Sequence, residues 1–242
     1  MPELNFKFHW LAVPVGVVVF VGWVWLGMIF TYLFHEPSAS SAPVQPDPGL
    51  PSITFLVTWM IDPAQSLLPA AWAGEKEPTF FDTLPAAYAW LTMALRLLGM
   101  AIVVPLFEEL FMRSLLLRSF LHARPTAIGM VQVLYDLPLV GDLIERTGLG
   151  QKAHQHGPIF GQQFMKNPLG QLTFFGVMVS SVLFMLGHLP RDWAGCILCG
   201  VLYCLLLRAT RDKGLGPVIW AHGITNALLW AYTLHTDDWQ FL

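Results

Sequence analysis

Residues 10–34 form an apolar run of 25 positions without a single Asp, Glu, Lys or Arg, and that run constrains everything else. As a helix rising 1.5 Å per residue it reaches about 37 Å, enough to cross ~30 Å of hydrocarbon. Lipid offers backbone groups no hydrogen-bond partner, so a segment at that depth must satisfy its own, as a helix does. The alternative is a cleaved signal sequence, since Ala39-Ser40-Ser41-Ala42 follows. A signal core runs only about 7–15 residues, and Lys7 is the only basic residue ahead of this one. An uncleaved first span is expected.

Four more apolar runs follow: Pro85–Val104, continuing past Pro105 to about Leu121, then Leu172–Leu189, Trp193–Leu207 and Pro217–Leu234. A further stretch, Ile53–Trp72, carries Asp62-Pro63 and Pro69 and suits a short, broken or interfacial helix. Only 12% of the 242 residues are charged, against about 25% in soluble domains. Ten Trp and seventeen Phe suit the aromatic belts at the two membrane interfaces. The expected fold is therefore all-α, a polytopic integral membrane helical bundle of five to seven transmembrane helices. A net charge of −3 gives no footing for nucleic acid, and membrane lipids are the first expected partner.

Charge divides the loops. Residues 35–82 carry Glu36, Asp47, Asp62, Glu75, Glu77 and Asp82 against a single Lys76, whereas 113–170 hold six Lys/Arg and 208–213 three more. Basic loops stay inside, which places the acidic loop outside and the N-terminus in the cytoplasm, in keeping with a bacterial inner membrane. The expected organisation is an anchor and outer loop over 1–84, then a core over 85–242 with a cytoplasmic insert at 123–170. That insert, rich in Pro and Gly, reads as a long loop with one amphipathic piece. Cys196, Cys199 and Cys204 share one run. A CxxC reading suggests redox or metal chemistry, but Cys196, Gly200 and Cys204 recur every four residues, a small-residue face for close helix packing. No disulfide framework is implied.

Charged side chains at membrane depth cost roughly 2.5–3.5 kcal/mol each on insertion scales, so they pair or mark function. Within "VVPLFEELFMRSLLLR", Glu109 and Arg113 are spaced i, i+4 and can pair on one helical face, leaving Glu108 about 100° away. Arg118 lies nearer the basic loop. Taken alone, the two glutamates could merely balance Arg113. Two other runs supply Phe184 with His188 and His222 with Asn226, each one turn apart. The remaining histidines lie at ends or in loops and read as solvated.

EExxxR (Glu108, Glu109, Arg113), FxxxH (Phe184, His188) and HxxxN (His222, Asn226), in this order within apolar helices, resemble the intramembrane CAAX proteases and bacteriocin-processing enzymes. This group, also called the ABI family, includes the Ras-converting prenyl endopeptidases. The resemblance covers roughly residues 85–235. The stretches "LAVPVGVVVFVGWVWL", "RLLGMAIVVPLFEELFMRSLLLR" and "WAHGITNALLWAYTLHTDDWQFL" resemble more narrowly the exosortase-associated CAAX prenyl protease-related branch. The insert at 123–170 is longer than that pattern's spacing between the first two motifs, which bears on substrate class and not on the core.

The resemblance implies an endopeptidase acting on a membrane-tethered protein or peptide. In it Glu108 with His188 activates water, His222 and Asn226 hold the oxyanion, and Glu109 paired with Arg113 orients its helix. The residue chemistry agrees: hydrolysis needs a base, an oxyanion site and a proton for the leaving amine, and an Asn amide donates without changing charge. No cofactor is expected. Zinc is the alternative, with Glu108, His188 and His222 as an O,N,N ligand set. A rival reading is a non-catalytic membrane subunit that binds partner helices of a larger membrane complex through the same core. One geometric tension stands. If every run crosses fully, His188 ends its helix outside while His222 begins its own inside. Short or tilted helices around Gly187–Pro190 and a break at Gly214–Pro217 would bring them level, and a division at Pro105 would change the count.

Overall fold

The computed structural model describes residues 5–34, 86–121, 126–135, 140–155 and 167–236. All regular structure among them is helical, and the protein is a helical membrane bundle. Helix α1 is Ala12–Phe34. Helix α2 runs continuously over residues 86–119, with α-helical Ala86–Leu98 and Val104–Glu109 separated and followed by wide π turns at Gly99–Val103 and Leu110–Leu116. Three short helices come next: α3 (Ala127–Tyr135), α4 (Val140–Glu145) and α5 (Gly148–His154). Then follow α6 (Phe174–Leu186), α7 (Trp193–Ala209) and α8 (Gly216–Thr236). The stretch Ile53–Trp72 lies outside the described residues.

The insert differs from the loop expected of it. Its described parts form α3, α4 and α5, which pack on one another. Thr126 and Thr147 each take a backbone N–H three residues on, at Gly129 (3.2 Å) and Gly150 (3.0 Å), the usual side-chain cap of a helix start. Between these caps, "AIGMVQVLY" is apolar enough to fold onto its neighbours despite the surrounding Gly and Pro.

Three segments are long and apolar enough to span: Ala12–Phe30, Trp90–Ser119 and Pro190–Ala209. The most apolar stretch of the second is almost free of buried residues, and its buried residues gather from Pro105 onward. Its Leu91, Leu95, Leu98 and Ile102, at helical spacing, are exposed and form the lipid-facing side of α2. Helix α6 is apolar but has 13 residues, about 20 Å of helix, too short for the full hydrocarbon thickness. Helix α8 has 21 residues and runs through the interior.

The interior is built by close approach. Helix α1 packs along α7 and α8, and α6 along α7 and the end of α2. A Cβ at Gly16 would sit 2.6 Å from the Ala221 carbonyl, and one at Gly200 would lie 3.1 Å from the Ser181 Cα. Small residues at such crossings let backbones meet in a membrane protein. Cys196, Cys199 and Cys204 are buried free thiols beside that contact, which suits the packing reading of their spacing. Thr225 of α8 donates to the Gly16 carbonyl of α1 at 2.9 Å, so α1 is knitted into the bundle.

Gly200→Leu should lower the thermal midpoint of the purified protein, with overpacking of about 1–3 kcal/mol, because Ser181 backbone blocks the new side chain. Gly99→Ala, where a Cβ meets nothing within 4 Å, should leave it unchanged or raised. Equal midpoints for both variants in a detergent melting assay would refute the crossing.

Candidate active site

Glu109 is fully buried, and its two oxygens are both engaged. Oε2 lies 3.2 Å from Arg113 Nε, one turn further along α2. Oε1 accepts from His222 Nδ1 of α8 at 2.8 Å. The Arg113 guanidinium, itself buried, sits against the rings of Phe184 (5.5 Å) and Tyr203 (5.6 Å), a placement that ring quadrupoles favour. The i, i+4 pair anticipated from spacing therefore forms, although a π turn begins between its members.

This arrangement fixes a tautomer. As the partner of the Arg113 guanidinium, the Glu109 carboxylate can only accept. His222 Nδ1 must then carry hydrogen, and Nε2 is the nitrogen left for chemistry. Nε2 lies 3.5 Å from Glu108 Oε2. Glu108 keeps 32% of its side chain exposed, whereas Glu109 keeps none. The adjacent glutamates are thus divided into a buried structural anchor and an accessible carboxylate.

His188 follows the end of α6. Its Nδ1 lies 2.8 Å from the Phe184 carbonyl; a carbonyl only accepts, so Nδ1 again donates and Nε2 is free. Its ring centroid is 4.5 Å from that of Phe184, and the His222 ring meets the same Phe184 at 6.4 Å. Both imidazoles thus meet the same phenyl ring. The tension over depth resolves through helix length: α6 stops at Leu186 with Gly187 as its cap, and Gly214, at φ +71°, turns the chain into α8. Pro105 does not divide α2.

Asn226 departs from the cluster. Its Nδ2 donates to the Met100 carbonyl at 2.8 Å, eight residues before Glu108, about 12 Å along the helix. Arg118 does reach the basic loop, as expected, but in a buried setting: Nε donates to the Asn167 carbonyl (2.9 Å) while Asn167 Nδ2 donates to the Arg118 carbonyl (3.0 Å). Among the described residues, no set of three or more His, Cys, Asp and Glu is gathered closely enough to hold a metal ion.

Two neighbours escaped the sequence reading. Tyr203 stacks at 5.4 Å beside His222, and its hydroxyl meets Thr225 Oγ1 at 2.7 Å. It falls on the same α7 face as Cys196, Cys199 and Gly200, so helical spacing could have found it. Trp23 of α1 sets its ring edge-on to His188 at 5.8 Å. No local signal marks Trp23; tertiary packing alone delivers it.

Fold and cluster together define a polytopic helical membrane protein with an ionisable site inside its apolar helices. Residues 89–228 match the profile of the type II CAAX prenyl endopeptidase Rce1-like family, and the chain belongs to that family. No curated protein and no solved structure matches it. The family is one of membrane proteases, whose setting is lipid and whose substrates are tethered to it. The matched segment contains every site residue except those that α1 contributes.

Arg113→Met should destabilise the fold by about 3–5 kcal/mol, the usual cost of leaving one buried charge unpaired. Adding Glu109→Gln to it should recover a large part of that loss. Equilibrium unfolding in mixed micelles checks this, and strict additivity of the two substitutions would show that the pair is not coupled.

Proposed function

We propose that the protein is an intramembrane endopeptidase that cleaves a membrane-tethered protein or peptide tail, with Glu108 as the base that activates water. One observation carries the reading: Glu108 Oε2 stands 3.5 Å from His222 Nε2, while Glu109 holds the opposite nitrogen of that imidazole. A carboxylate, an imidazole nitrogen and partial exposure coincide at one point inside apolar helices, where a soluble substrate has poor access.

The chemistry then runs in two steps. Glu108, with the free Nε2 of His188 orienting the water, takes a proton as the oxygen attacks the scissile carbonyl. The carbonyl π electrons move to oxygen. Glu108 passes the proton to His222 Nε2, 3.5 Å away, and the Nε2–H so formed donates to the oxyanion while Glu109 holds Nδ1–H. Collapse re-forms the carbonyl and breaks the C–N bond, and the Nε2 proton passes to the leaving amine. The reading takes the metal-free form. The loop charges and the exosortase-like stretches support an inner-membrane setting with the N-terminus cytoplasmic, and a role in processing exported proteins.

Cleavage of tail peptides by the purified protein in lipid tests the assignment. Glu108→Gln and His222→Ala should each slow it by about two to four powers of ten, and a strong chelator should leave the wild-type rate unchanged. Wild type no faster than both variants, with all three folded and equally able to complement in cells, would instead favour the non-catalytic membrane subunit. Inactivation by the chelator, reversed by zinc, would turn the mechanism to the metal form.

A further inference from the structure

Pro105 leaves a hole in the hydrogen-bond ladder of α2. In an α-helix the Met100 carbonyl would accept from Val104 N–H, but that N–H reaches back to Gly99 across the wide turn. In a π ladder the donor would be residue 105, and proline has no N–H. Both main-chain donors are therefore lost to Met100, and the Asn226 side chain takes their place at 2.8 Å. Three residues before Asn226, Gly223 lets α8 settle on this same turn, since a Cβ there would strike the Ala101 carbonyl.

We propose that Asn226 is a positioning residue that holds the wide turn of α2 open, and so fixes the direction in which Glu108 and Glu109 point. One residue of a helix turns the chain by about 100°. If the turn at Gly99–Val103 closed to an ordinary α turn, every residue beyond it would swing by that order, and Glu109 would leave His222. Helix α8 guards against this at two points one turn apart on itself: His222 grips the glutamate, and Asn226 grips the turn that aims it. This goes beyond the oxyanion role that the family resemblance gives Asn226, and only its activity readout rests on the protease reading.

The test uses full-length protein in lipid without substrate. The ¹⁵N signals of the His222 imidazole report its bond to Glu109, and the ¹³C signals of the Gly99 and Met100 carbonyls report the turn, since closing it moves the Val104 N–H from one to the other. Asn226→Ala should shift the His222 signals and both carbonyl signals. Asn226→Ser, a shorter donor that serves should the alanine variant fail to fold, should do the same to a smaller degree. With substrate, kcat should fall by about 10- to 100-fold, the cost of an ångström-scale misplacement, with KM little changed. Substrate-free His222 and Gly99 carbonyl signals identical to wild type in either folded variant would overturn the proposal, and a fall in cleavage beside them would assign Asn226 to substrate contact instead. Should the wild type cleave nothing, the two spectroscopic readouts still decide the positioning role.

Discussion

The Glu109–Arg113 ion pair is the constraint on which the site depends. Each group alone would be expensive at full burial in an apolar bundle, and removing either leaves the other uncompensated. Together they need aromatic walls, which Phe184 and Tyr203 supply from two different helices, and a donor for the remaining carboxylate oxygen, which His222 supplies from a third. Satisfying one buried charge pair thus recruits α2, α6, α7 and α8 to a single point. The same geometry sets the tautomer of His222 and leaves Glu108, one residue away, partly exposed beside its second nitrogen.

Side-chain periodicity made part of this legible. Glu109 with Arg113, Phe184 with His188 and His222 with Asn226 are each one helical turn apart, and their presence inside apolar runs marked three of the helices that meet at the site. The helical membrane fold was legible for the same reason, because hydropathy over long runs leaves few other structures. What escaped depends on contacts distant in sequence. At the wide turn Gly99–Val103, the Met100 carbonyl takes its donor from Asn226, 126 residues away, which no local pattern shows. The apparent mismatch in depth between His188 and His222 disappears only because α6 is short. Arg118 meets the basic loop through a buried reciprocal link with Asn167, 49 residues on, and the burial is what its position in the sequence does not show. Within the insert, Pro and Gly outweighed two threonine caps that do announce helix starts.

Helix α1 has a place that its position ahead of the matched segment does not suggest. It offers the Gly16 carbonyl to Thr225, whose hydroxyl also meets Tyr203 beside His222, and it sets Trp23 against His188. The first helix therefore supports both imidazoles without contributing an ionisable group.

The order of the elements along the chain has a temporal meaning. Glu109 and Arg113 enter the membrane on α2 with only each other for company, while the imidazole that completes the cluster arrives on α8, the final described helix. Until α8 is made, the nascent chain holds the ion pair without the donor of its second carboxylate oxygen. The cluster closes only when α8 packs against α1 and α2, so on the protease reading a half-made chain lacks the imidazole that its chemistry needs.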